Sequence, residues 1–262
     1  MEIFGYIASV FIGITLGLLG GGGSILTIPI LVYLFHLDVV TATAYSLFIV
    51  GSTSLVGVVP KRRMGLVNLK TGFIFGTPSL ITIFATRKWI VPAIPDILLT
   101  VHSFVLTKRI FLLGLFAVLM IATSFSMIRG RKELLSEEHG INIPMIIIQG
   151  IIIGLLTGLV GAGGGFLIIT ALVLLTGLPM KIATGTSLFI IGFNSLIGFM
   201  GDVINLSIHW DFLFLITFLA IAGIFIGNWL TVKIHARHLR RSFGLFTLLM
   251  GCWILVKELF LN

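Results

Sequence analysis

Gly17-Leu18-Leu19-Gly20-Gly21-Gly22-Gly23-Ser24 occurs twice in this chain, the second time as Gly158-Leu159-Val160-Gly161-Ala162-Gly163-Gly164-Gly165. The copies lie 141 positions apart (158 − 17), and the register holds without a gap for roughly forty residues. Ala42-Thr43 returns as Ala183-Thr184, and Ser46-Leu47-Phe48-Ile49 as Ser187-Leu188-Phe189-Ile190. Gly51, Ser54 and Gly57 return as Gly192, Ser195 and Gly198. A greasy composition gives chance matches among Leu, Ile and Gly, but not an ungapped register that carries Ala-Thr and Ser-Leu-Phe-Ile. The chain is a duplication. Its halves are read as 1–128 and 143–262, joined by a polar, cytoplasmic linker at 129–142.

What surrounds those halves follows from composition. The chain is 58% hydrophobic and 10% charged, with a mean hydropathy of +1.20. A soluble domain carries about 25% charged residues, so most of this surface faces something other than water. The bilayer is the ordinary candidate, and the expected protein is all-α and polytopic. The net charge of +8 sits in short basic clusters between apolar runs, as cytoplasmic loops do, which argues against a nucleic-acid partner. Cys252 is the one cysteine, so no intrachain disulfide exists. Glu2 stands where a secretory signal would carry Lys or Arg, so the first apolar run reads as part of the mature protein. The expected location is a cell membrane of the bacterial inner-membrane type, crossed many times.

Apolar runs fall at 3–19, 25–35, 39–58, 69–86, 109–128, 143–160, 166–176, 180–200, 211–232 and 242–260. Those at 25–35 and 166–176 give about 17 Å of helix at ~1.5 Å per residue, against the ~30 Å of a bilayer core. Each follows a glycine cluster of poor helix propensity. Residues 3–35 and 143–176 are therefore read as helix–break–helix hairpins, although tilted full spans joined by a tight glycine turn would use the same residues. Each half becomes a glycine-broken hairpin plus three transmembrane helices, giving eight to ten membrane segments in all. Residues 87–107, with Arg87-Lys88-Trp89, Pro92 and Pro95, have no counterpart of equal length in the second half. They are read as an insertion lying along the interface, with a short extra span as the alternative.

A hairpin that returns to its starting face, followed by three crossings, leaves the second half upside down relative to the first. With Lys61-Arg62-Arg63 inside, 12 of the 17 Lys and Arg then lie inside and 5 outside, Arg87 among the latter. Equal orientation of the halves gives 8 inside and 9 outside. The positive-inside bias selects inverted repeats with both termini outside.

The chemistry on offer is sparse. The six histidines are His36, His102, His139, His209, His235 and His238, and none stands at metal spacing beside a carboxylate in an apolar run. Gly161–Gly165 is followed by no Gly-Lys-Ser or Gly-Lys-Thr and is no phosphate loop. No enzyme activity, metal or cofactor is expected. What the runs hold is small and neutral. Gly20, Gly21, Gly22, Gly23 and Ser24, with Gly161, Ala162, Gly163, Gly164 and Gly165, place backbone N–H groups where new helices begin. Such ends carry about half a positive charge and unpaired donors, which suits an anion. Broken helices at matching positions of two halves form midplane substrate sites in transporters. Two such ends meeting would make an anion site without lysine or arginine.

The helices that follow add Ser46, Thr53, Ser187 and Asn194 as further lining, each pair on one helical face. Thr43, Ser54, Thr184 and Ser195 are read as interhelical bonding, and Gly13-x-x-x-Gly17 and Gly154-x-x-x-Gly158 as close-packing motifs. Lys181 reads as a snorkelling interfacial lysine, with gathering of substrate at the inner mouth as the alternative, and Asp202 and Asp211 as solvated residues flanking an outer loop, with a proton relay as the alternative. With no carboxylate expected at membrane depth, outward movement of an anion down the membrane potential is favoured over proton coupling. The partners expected are a small anionic substrate and the lipid bilayer, with the oligomeric state left open. An anion channel with the same pore is the alternative.

The doubled glycine segments, each followed by an apolar stretch and then Ala42-Thr43-Ala44-Tyr45-Ser46-Leu47 or Ala183-Thr184-Gly185-Thr186-Ser187-Leu188, resemble the sulfite exporter TauE/SafE family of membrane permeases. The resemblance implies transport of small sulfur-containing anions: sulfite, thiosulfate or organosulfonates. One departure is that Pro29 has Thr170 as its partner, so the second hairpin is expected to be shaped differently.

Overall fold

The structure is a computed structural model and describes residues 2–101, 104–129, 143–231 and 236–260. Most of the expected linker lies outside the described residues, as do His102, Arg131, Lys132, His139, Lys233 and His235.

Helix α1 (Glu2–Leu19) runs into a 3₁₀ turn at Gly20–Leu26, a single α turn α2 (Thr27–Pro29) and a π turn at Ile30–Leu34. Phe4–Leu34 is one of six helical stretches among the described residues that are long and apolar enough to cross a membrane. Drawn out straight it would reach about 45 Å at ~1.5 Å per residue. Instead the Phe35 ring lies against Gly5 and 5.6 Å from the Tyr6 ring, and Gly23 packs on the backbone of Thr15 and Leu16. The stretch is a hairpin that comes back to its own start.

The second hairpin is α7 (Ile143–Val160), a turn, and α8 (Gly165–Thr176). Gly161, Gly163 and Gly164 hold φ of +75°, +67° and +63°, a region closed to most L-residues. Gly164 packs on Thr157 as Gly23 packs on Leu16, the same contact 141 positions on. The return arms differ as the Pro29/Thr170 exchange predicts. The arm with Pro29 mixes 3₁₀, α and π turns, whereas the arm with Thr170 is regular α-helix. Proline lacks the N–H that a regular ladder needs and crowds the carbonyl four residues back.

The remaining helices are α3 (Val39–Arg63), α4 (Leu69–Ala85), α6 (Lys108–Arg129), α9 (Met180–Val203), α10 (Trp210–Thr231) and α11 (Ala236–Phe260). Their starts are written locally. Asp38 caps α3 by accepting from Val40 N–H at 2.9 Å, and Asn68 caps α4 by accepting from Thr71 N–H at 3.0 Å. Lys61, Arg62 and Arg63 occupy the last turn of α3, where the helix dipole favours cations.

Helix α4 continues past Ala85 through a π turn at Thr86–Ile90 into α5 (Val91–Ala93), followed by antiparallel strands β1 (Ile97–Val101) and β2 (Phe104–Thr107). The piece read as an interfacial insertion is therefore a helix end plus a short β-hairpin. Trp89 is exposed, but Arg87, expected in an outer loop, is 0% exposed among helices.

Packing crosses between the halves. Helix α1 lies on α10 and α7 lies on α4, while α3 pairs with α9 and α6 with α11. Glycines set these approaches: a Cβ on Gly13 would strike Ala220 O, and one on Gly154 would come within 2.5 Å of Ser79 O. These are the same contact under the 141-residue offset. Gly51 against Leu196 and Gly192 against Leu55 form a second reciprocal pair. The outward surface is apolar, with Phe218, Phe225 and Trp229 exposed on α10, whereas Ser46, Thr53, Ser187 and Asn194 are buried. That inside-out distribution belongs to a protein solvated by lipid.

Candidate functional site

The two glycine breaks meet. A Cβ on Gly21 would lie 2.6 Å from Gly165 Cα, and one on Gly165 would strike the Gly21 backbone. Backbone on backbone leaves no room for a ligand directly between these two residues. The space is beside them: nothing but Leu19 Cβ, at 3.5 Å, comes near a Cβ on Gly22. Its repeat partner Gly163 is hemmed in by Val50 at 2.8 Å, Ser195 Oγ at 3.1 Å and Ile191 at 3.3 Å.

Those neighbours orient α3 and α9. Val50 on α3 faces Gly163, and Ser46 and Thr53 stand four before and three after it, on the same helical face. Ile191 on α9 faces Gly21, with Ser187, Asn194 and Ser195 correspondingly placed. Helix α3 thus turns its polar face toward the second break, and α9 lies against both, with Ile191 at Gly21 and Ile191 and Ser195 at Gly163. Val50 and Ile191 are themselves repeat partners.

The donors divide into spent and free. Ser24 Oγ–H donates to Gly21 O at 2.9 Å and Ser187 Oγ–H to Thr184 O at 2.8 Å. Both brace their own segments. Asn194 Nδ2–H donates to Ser79 Oγ at 2.7 Å, leaving Oδ1 without a partner. A half-turn of the amide keeps the link to Ser79 and presents Nδ2 instead. Ser46, Thr53, Ser54 and Ser195 hydroxyls are buried and unpartnered among the described residues. Such atoms are rare in folded proteins and ask for a ligand or water. Ser54 and Ser195, read as bonding between helices, therefore belong with the free donors. Gly20 packs on Thr184, and Gly161 on Thr43. Gly23 packs within its own hairpin, and Ala162 and Gly164 are buried in the second turn.

An arginine reaches the breaks after all. Arg87 Nη1–H donates to Thr43 Oγ1 at 2.9 Å and lies 3.3 Å from Asp202 Oδ2, while Nη2 comes up against Gly161. Asp202, expected at the surface, is 3% exposed. It stands in the last turn of α9, where Gly201 lets the helix approach Arg87 Cβ and the Lys88 backbone N–H. Glu258 is also buried, held by two bonds from one edge of Arg109, each at 3.0 Å, and by Tyr33 O–H at 3.1 Å. The interior therefore holds carboxylates, and the case for potential-driven over proton-coupled movement loses its sequence support. The 141 register held the missed signal: Thr86 packs on Gly158 as Gly227 packs on Gly17. Position 87 thus still belongs to the repeat, opposite Asn228, rather than to an insertion.

Among the described residues no three His, Cys, Asp or Glu side chains converge. A crevice of about 520 Å³ lies beside the basic end of α3. Leu55, Val58, Val59, Arg62, Arg63, Phe189 and Phe193 line it.

The family model described as "Sulfite exporter TauE/SafE" matches residues 6–254. A "Probable membrane transporter protein" of Xylella fastidiosa is 28% identical over 258 residues, covering 94% of this chain and 92% of the relative. A like-named protein of Bacillus subtilis is 25% identical over 268 residues, with 93% of each chain covered. One of Methanocaldococcus jannaschii is 33% identical over 118 residues, covering 43% of this chain and 44% of the relative. No solved structure matches.

Proposed function

The chain belongs to the sulfite exporter TauE/SafE family, and from that premise we propose that it carries a small sulfur-containing anion such as sulfite, thiosulfate or an organosulfonate outward across the membrane. It is a multi-pass membrane transporter. The observation that carries the finer proposal is the convergence of the polar faces of α3 and α9 on the two breaks. Ser46 and Thr53 on α3 share the face that meets Gly163, and Asn194 on α9 shares the face that meets Gly21. Helix N-termini contribute partial positive charge, and the free hydroxyls contribute donors to oxyanion oxygens.

The halves, 1–128 and 143–262, act as inverted repeats that rock about the α3–α9 contact. The substrate sits beside the touching glycines, between the turns Gly20–Ser24 and Gly161–Gly165. The contact of Gly21 with Gly165 supports a carrier over a channel, because it blocks the direct path through the centre.

Purified protein in liposomes tests this. Radiolabelled sulfite should enter by saturable exchange, accelerated by unlabelled sulfite trapped inside. Linear, non-saturating flux without counterflow would establish a channel. No flux of any sulfur anion would remove the proposal.

A further inference from the structure

The Arg87 guanidinium has five N–H donors in a rigid fork. It is fully buried, and only Nη1 is occupied, by Thr43 Oγ1 and Asp202 Oδ2. Nε and Nη2, the edge that grips a carboxylate or sulfonate with two parallel bonds, have no partner among the described residues. Nη2 lies over Gly161, where a Cβ would strike both it and Thr43. The missing side chain at Gly161 admits the charge to the second break.

The pairing with Asp202 is loose in a way that Arg109–Glu258 is not. Arg109 engages both oxygens of Glu258, through Nε and Nη2, each at 3.0 Å. Arg87 meets Asp202 at a single 3.3 Å approach, and Asp202 Oδ2 makes no hydrogen bond. The next residues along, Val203 and Ile204, are exposed, so Asp202 stands at the edge of the buried region. Three neighbouring facts thus converge: a buried charge, a free two-point edge and a weakly held counter-ion.

We propose that Arg87 is the fixed cation of the transport site, that Asp202 neutralises it when the site is empty, and that the substrate, gripped by the free edge, replaces Asp202 as its counter-ion. This rests on the protein being an anion transporter and narrows its substrates. The free edge fits an anion that presents two oxygens side by side, as sulfite and sulfonates do, and discriminates against a single-atom anion such as chloride.

The test uses the full chain, with sulfite, methanesulfonate and chloride as probes, read by melting temperature in detergent and by flux in liposomes. Wild type should be stabilised by sulfite and methanesulfonate and not by chloride. Arg87→Gln combined with Asp202→Asn keeps a neutral, hydrogen-bonded pair in place of the ionic one. It should melt near wild type without anion and bind sulfite roughly 10- to 100-fold more weakly, the scale of a charged hydrogen bond. Asp202→Asn alone removes the internal competitor and should tighten sulfite binding while slowing exchange. Arg87→Lys keeps the charge without the fork and should lose discrimination against chloride. If the double variant binds and carries sulfite as wild type does, or Asp202→Asn leaves affinity unchanged, Arg87 is structural and the assignment falls while anion transport stands. If wild type itself neither binds nor carries these anions, the transporter proposal falls first.

Discussion

Gly22 and Gly163 are repeat partners with unequal surroundings, and a single methyl group reads the difference. Gly163 holds φ +67° and is closely bounded by Val50 and Ser195. Alanine there costs about 1–2 kcal/mol for the left-handed backbone alone, before Val50 must move. Gly22 lies outside that φ region and has space beside it. Gly22→Ala should therefore match wild type in melting temperature, while Gly163→Ala melts several degrees lower. Gly22→Leu fills the open space and should stop sulfite flux with the protein still inserted at normal yield. Full flux in Gly22→Leu would mean that the glycines serve packing alone. Asn194→Ala belongs to the same scale. It strips Ser79 of its buried partner and removes a group from the polar face of α9, so the KM for sulfite should rise about 10-fold, the worth of one such bond.

Between elements, the decisive contacts are glycine on backbone. Helix α7 approaches α4 through Gly150, Gly154 and Gly158, and α1 approaches α10 through Gly13 and Gly17. In lipid no hydrophobic force drives helices together, so close van der Waals packing over small residues carries the association. Gly13→Val and Gly154→Val insert bulk at equivalent places and should lower folded yield and melting temperature by similar amounts. A large loss from one and none from the other would show that the two interfaces do not carry equal weight. Much of this level was legible in the residues. Run length against bilayer thickness exposed both hairpins, and Pro29 opposite Thr170 anticipated their different return arms. Arg87 was not legible in the same way. The chain continues α4 through a π turn at Thr86–Ile90, and nothing in Thr-Arg-Lys-Trp distinguishes an arginine turned inward from one facing headgroups. The partner that holds it, Asp202, lies 115 residues further along the chain. Burial of an ion pair is a tertiary fact, decided here by Gly161 and Gly201 leaving space.

Across the whole molecule the duplication is symmetric in packing and asymmetric in charge. The reciprocal pairs Gly51–Leu196 and Gly192–Leu55 put α3 and α9 in equivalent places. Yet Arg87 and Asp202 have Asn228 and Lys61 as their repeat partners. If the halves are inverted, these two sets occupy opposite membrane faces. The ionic pair then closes the outer end of the site, and the lone Lys61 faces inward, beside the basic crevice at Arg62 and Arg63. An anion arriving from inside would meet positive charge first, which raises its local concentration, and would relieve Asp202 of Arg87 at the far end of the site. This asymmetry depends on orientation, and orientation can be measured directly. Met64, just past α3, and Ile204, just past α9, are both 65% exposed and stand at corresponding helix ends. With Cys252 changed to Ser, single cysteines introduced by Met64→Cys and Ile204→Cys should differ toward a membrane-impermeant maleimide applied to intact cells. The one at 204 should label at once, and the one at 64 only after the membrane is opened. Labelling of both from the same side would make the repeats parallel, and the membrane faces of the ionic pair and of Lys61 would then have to be reassigned.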